Sequence, residues 1–111
     1  MSEPALDPLV GQATRLRILA ALVSLEEGEQ LDFMDLLALL ELTAGNMGAH
    51  LQKLEEAGYV GIEKTFVGRR PKTWLAATDQ GRRAFADHVD ALEAIARREE
   101  WKKSAEKEQN Q

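Results

Sequence analysis

The sequence predicts a small, mainly helical fold with one β-hairpin, and three observations carry that prediction. Apolar residues recur at three- and four-residue steps in three stretches between residues 13 and 57, and again between 79 and 101. Between Gly58 and Thr78 the period shortens toward two, and β-branched and aromatic residues dominate. Gly68 and Pro71 punctuate that segment and split it into two runs. A three-helix core, a two-stranded hairpin and a long C-terminal helix follow.

In residues 13–25, Leu16, Leu19, Ala20, Leu22 and Val23 keep helical spacing behind a leader that contains Pro4 and Pro8, and Gly28 is expected to close this helix. Asp32 followed three residues later by Asp35 is a capping-type start for a short second helix. Its buried face would be Phe33, Leu36, Leu37 and Leu40, and it should end near Leu42. Thr43 is placed to cap a third helix over about 43–57, in which Met47, Leu51, Leu54 and Ala57 face inward before Gly58 stops it.

Tyr59, Val60, Ile62, Thr65, Phe66 and Val67 form the first strand, and Lys72 to Thr78, with Trp74 packed in the core or on the hairpin, the second. The tip between them presents Arg69, Arg70 and Lys72. Thr78 then caps a last helix over about 79–101, whose stripe of Phe85, Val89, Leu92, Ile95 and Ala96 reaches Trp101. Such a helix runs ~34 Å at ~1.5 Å per residue, longer than a core of this size covers, so its far end is expected to meet another subunit. The domain spans 1–103, and residues 104–111, without apolar anchors, are expected to be a disordered tail.

A chain of 111 residues, 44% apolar and 30% charged, fits one folded domain with a shallow core, which again favours a partner subunit. With no cysteine, disulfides, thiolate metal sites and cysteine nucleophiles are all excluded, and a reducing cytoplasm fits. No apolar run approaches the ~20 residues of a membrane span. Met1 to Asp7 carries two acids and neither Lys nor Arg, so no signal peptide is expected there.

The net charge of −5 opposes a nucleic-acid partner, but its distribution does not. Residues 1–42 set Arg15 and Arg17 against eight acids, whereas residues 43–73 hold five bases and three acids. Within 64–73 there is no acid at all.

The runs Arg15–Leu22, Asp32–Leu36 and Leu42–Val60, continued by Lys64–Thr73 and by Thr78-Asp79-Gln80-Gly81-Arg82, resemble the winged helix-turn-helix transcriptional regulators near the ArsR and MarR groups. The resemblance covers roughly residues 9 to 96. It implies a sequence-specific regulator of double-stranded DNA, with the helix 43–57 in the major groove and the basic wing 64–73 on the backbone or in the minor groove. It also implies a homodimer formed by the first and last helices. Two recognition helices would then stand ~34 Å apart and read an inverted repeat. Where that family commonly has an acid the chain has Ala44, and where Ser is common it has Gly48.

Within this frame Thr43, Asn46 and His50 are the polar groups near the start of the recognition helix. Asn pairs well with adenine, and Thr with a phosphate or a thymine methyl. Gly45 and Gly48 each cost ~1 kcal/mol against Ala in a helix interior. Two readings are open for them: close approach to DNA, or packing against the second helix. His50 either contacts DNA or packs against the turn. Lys53, one turn after Ala49, either meets a phosphate or pairs with Glu56. Arg69, Arg70 and Lys72 carry the wing, with Lys64, Thr73 and Gln52 as secondary phosphate contacts. Phe85, Val89, Leu92, Ile95 and Trp101 are the dimerisation candidates, and the first four fit an intramolecular core as well.

Other classes are weaker. No Ser/His/Asp set, phosphate-cradling glycine loop or metal box is present, so no enzyme and no cofactor are expected. Asp87 and Asp90 share a helix face from which His88 is turned away, so a solvated polar face is expected there rather than a metal site. A small-molecule effector is compatible with the sequence, which identifies none. The rival reading is a winged helix for protein–protein contact without DNA binding. The acidic first segment favours it, and the wing cluster does not.

Overall fold

In the computed structural model, which describes the backbone of residues 5–109 and the side chains of residues 5–99, a short helix α1 (Pro8–Gly11) leads into α2 (Ala13–Val23). A two-residue strand β1 (Leu31–Asp32) precedes α3 (Phe33–Leu40) and α4 (Ala44–Glu56). The hairpin β2 (Val60–Val67) and β3 (Arg70–Ala77) and the long α5 (Asp79–Gln109) complete the chain. The expected fold class is the one found, with a third strand added. β1 pairs antiparallel with β3, setting Leu31 opposite Leu75 and Asp32 opposite Trp74, so the sheet order is β1-β3-β2. Two residues are too few to display a period, which is why this strand was not expected.

The core is built where the apolar spacings meet. Ile18, Leu19 and Leu22 of α2 pack with Leu36 and Leu40 of α3 and with Met47, Leu51 and Leu54 of α4, and Val10, Val60 and Leu75 close the cluster. Phe85, half-buried, packs against this core from α5.

Helix ends follow local chemistry. At the end of α4 the Gly58 N–H bonds the Glu55 carbonyl and the Tyr59 N–H the Leu54 carbonyl, with Gly58 at φ +81°. Thus α4 stops where Gly58 predicted. By contrast α2 ends at Val23, five residues before Gly28, because the Arg82 guanidinium donates to the carbonyls of Val23 and Leu25 (3.0 and 3.2 Å). Asp32 does precede α3, yet its side chain makes no cap bond and turns instead to Lys72.

Thr78 caps α5 as expected, accepting from the Gly81 N–H at 3.0 Å while donating to the Gly58 carbonyl at 2.6 Å. Gly81 is required there, since a Cβ would overlap the Tyr59 carbonyl. Helical geometry continues to Gln109, past the expected end near 101 and through most of the segment expected to be a tail. Residues 102–109 contain neither Gly nor Pro and are mostly Lys and Glu, which explains the continuation. The Trp101 side chain lies outside the described residues.

Asp87 and Asp90 are exposed, the solvated polar face expected of them, while His88 is turned away from them and buried. It is only 4% exposed, and its Nδ1 accepts from the Asp7 N–H at 3.2 Å. Asp7 in turn caps α1 through Oδ1 and receives the Tyr59 hydroxyl on Oδ2 at 3.3 Å, so the leader is stitched both to α5 and to the residue that precedes β2. No helix among the described residues is long and apolar enough to cross a membrane.

Candidate nucleic-acid interface

The sequence splits α4 into two faces, and the structure keeps them apart. Met47, Leu51 and Leu54 are buried, while Thr43, Ala44, Gly45, Asn46, Ala49, Gln52 and Lys53 are exposed. Thr43 uses its hydroxyl to accept the Asn46 N–H at 3.2 Å, so it caps the helix and leaves the Asn46 carboxamide to solvent. A Cβ added at Gly45 or Gly48 would meet nothing within 4 Å. Packing against the second helix therefore does not explain these glycines, which leave open space along this stretch of α4. Lys53 makes no ion pair with Glu56 among the described residues; Glu56 instead accepts from Gln52 at 3.3 Å.

His50 is half-buried and held from below. The Arg15 guanidinium, on a residue only 8% exposed, donates through Nε to the Leu9 carbonyl at 2.6 Å and through Nη1 to His50 Nδ1 at 3.1 Å. Guanidinium has no acceptor, so Nδ1 is the accepting nitrogen and the proton of the neutral ring sits on Nε2. Burial, then the charges of Arg15 and Lys53, lower the His50 pKa below the ordinary imidazole value of 6.5. His50 is thus held at Nδ1 by Arg15 of α2 and carries its proton on Nε2.

The wing turns tightly. Val67 pairs with Arg70, leaving Gly68 and Arg69 as a two-residue loop in which the positive φ (+65°) falls on Gly68, as in a type II′ turn. Lys64, Arg69 and Arg70 are exposed and have no ion pair among the described residues. Lys72 departs from its expected place at the tip. It stands opposite Thr65, its Nζ lies 3.8 Å from Asp32 Oδ2 and 5.4 Å from the centre of the Trp74 ring, and this face of the sheet holds it inward. Thr73 is half-buried opposite Lys64, and Trp74 Nε1 donates to Thr65 at 3.0 Å, the hairpin packing expected of it.

Three arginines to which sequence reading assigned no structural role have partners in the fold: Arg15, Arg82 and Arg17, the last donating to the Leu40 carbonyl at 3.0 Å. A signal existed for Arg15. It occupies the same 15-18-19-22 stripe as Ile18, Leu19 and Leu22, and a cation on an apolar stripe needs buried partners.

On α5, Val89 and Ile95 are half-buried and Leu92 is exposed. A recess of about 480 Å³ between α1, α2 and α5 is lined by Leu6, Gly11, Leu16, His88 and Leu92.

Residues 14–96 match the family model of the winged helix DNA-binding domain. An uncharacterized protein of Methanocaldococcus jannaschii is 40% identical over 81 residues, which are 73% of this chain and 85% of that relative. Among solved structures, a transcriptional regulator homologue of Pyrococcus horikoshii superposes with a TM-score of 0.71 at 28% identity, covering 79% of this chain and 84% of that one. Overoxidized AbfR bound to DNA superposes at 0.65 with 20% identity over 89% of this chain and 70% of its own, a likeness of fold.

Proposed function

The chain belongs to the winged helix DNA-binding domain family, and on that premise we propose that it is a cytoplasmic, dimeric regulator that binds double-stranded DNA at specific sequences. The observation that carries this reading is the wing: Lys64, Arg69 and Arg70 are exposed, lie within residues 64–73 that hold no acid, and have no ion pair among the described residues. Cations left unpaired in an otherwise acidic chain are suited to an anionic partner, and duplex phosphate is the one this fold carries.

In this reading α4 enters the major groove, with Asn46 and the Nε2–H of His50 directed at bases or phosphates and Lys53 at the backbone. The open glycines let the helix backbone come close. Arg69 and Arg70 lie on the backbone or in the minor groove, where negative potential favours arginine. Lys72 contributes through the wing's shape, by tying β3 to Asp32, more than by its charge. Dimerisation through α5 and the leader covers Leu92 and Leu6, both exposed at the rim of the recess, and gives the inverted-repeat geometry. Nothing in the site calls for catalysis, and an effector of this regulator would have to act through the dimer or the leader.

Selection of bound duplexes from a randomised pool tests the reading. An enriched inverted repeat with half-sites about one helical turn apart is the expected result. Recovery of no enriched sequence, with no retention of duplex at low salt, would favour a protein-docking winged helix.

A further inference from the structure

We propose that Phe66 is an apolar wedge: when the wing lies on duplex DNA, its ring enters the minor groove beside the arginines and covers sugar and base edges there. The inference rests on the DNA-binding reading above. Phe66 is 74% exposed, the largest exposure of any large hydrophobic side chain among the described residues, and its neighbour Val67 is 57% exposed. The inner positions of the same hairpin, Val60 and Leu75, are buried. An aromatic ring held in water at a hairpin tip forgoes the burial those residues obtain, so a partner that covers it gains an apolar contact.

Charge complementarity indicates the partner. Phe66 pairs with Pro71, and the alternation of the ladder puts it on the face that carries Lys64, two residues back on the same strand. Arg69 and Arg70 stand just beyond it, and residues 64–73 contain no acid. Lys64 on the ring's own face and the unpaired Arg69 and Arg70 at the tip, Arg70 on the opposite face with Val67, make surroundings that suit a polyanion and repel a second copy of the same tip. Its carrier is also narrow: a two-stranded ribbon ending in Gly68, which has no side chain, beside the compact Pro71. Duplex DNA offers a matching slot in the minor groove, about 6 Å wide, where apolar side chains beside arginine part or brace base steps.

The test uses the full chain and a fluorescein-labelled A·T-rich duplex, with affinity measured by anisotropy over a salt series. The slope of log affinity against log salt counts neutralised phosphates, while the value extrapolated to 1 M salt holds the non-electrostatic part. Phe66→Ala should keep the slope and lower that extrapolated affinity about tenfold, and Phe66→Leu should retain most of it. Arg69→Ala should do the opposite, lowering the slope by about one. An exposed ring leaves the fold intact when removed, which unchanged circular dichroism verifies. Unchanged extrapolated affinity in Phe66→Ala, or a lost slope, overturns the wedge while leaving DNA binding in place. A changed sedimentation coefficient with unchanged affinity overturns it in favour of contact between copies. Failure of the unmodified protein to bind the duplex overturns the DNA-binding reading itself, and the wedge with it.

Discussion

Arg15 shows how much of the candidate site depends on one residue that never reaches its surface. Its guanidinium joins the Leu9 carbonyl to His50 on α4, so the leader, α2 and α4 share a single cation. Replacing it with Met would strip a donor from each partner, and we expect a loss of about 2 kcal/mol in unfolding free energy, read by denaturant titration. The same pair sets a pH dependence. Because the folded His50 pKa lies below 6.5, acidification through that range protonates the unfolded chain before the folded one, so stability falls as pH drops and is insensitive to this residue above it. Nitrogen-15 spectra of the imidazole should give a midpoint below 6.5 with Nδ1 unprotonated. In Arg15→Met the midpoint should rise only part of the way, because burial, the larger cause, persists. A midpoint at or above 6.5 in the unmodified protein would contradict this account.

At the scale of elements, α4 and the wing are the parts we propose to meet DNA, and α4 carries an internal cost. Gly48 lies in the helix interior with open space where a side chain would go. Gly48→Ala should therefore stabilise the protein by about 1 kcal/mol while weakening duplex binding, because the methyl group stands between backbone and groove. A variant both more stable and equally tight would remove the glycine from the interface. The sequence made the helices and the hairpin legible because each rests on a local signal: apolar steps of three and four, Thr43 and Thr78 as caps, Gly58 as a stop, and Gly68 in the turn. What it did not reveal depends on tertiary register. β1 exists because Leu31 and Asp32 meet Leu75 and Trp74, and that meeting places Asp32 within reach of Lys72. A lysine read as a tip cation thereby becomes a brace for the sheet. Gly28 likewise lost its role as a helix stop to Arg82, more than fifty residues away in sequence.

The whole molecule is dominated by α5. Thirty-one residues make a rod of ~46 Å, and the extents of 71 × 26 × 23 Å and radius of gyration of 18.1 Å far exceed the ~13 Å expected of a compact chain near this length. A helix that leaves its own core is suited to a second copy. Leu92→Asp should convert a dimer to a monomer in sedimentation velocity with little change in monomer unfolding, and weaken binding to an inverted repeat at least tenfold through lost bivalency. An unmodified protein that sediments as a monomer at micromolar concentration would refute the dimer. The central claim, that the wing docks on duplex phosphate, is tested most directly by the salt dependence of duplex affinity for the unmodified protein beside the Arg69→Ala/Arg70→Ala double variant. The account predicts a clear negative slope that shrinks by up to about two per protomer in the variant. An equal slope in both proteins, or no duplex binding at low salt, would contradict it.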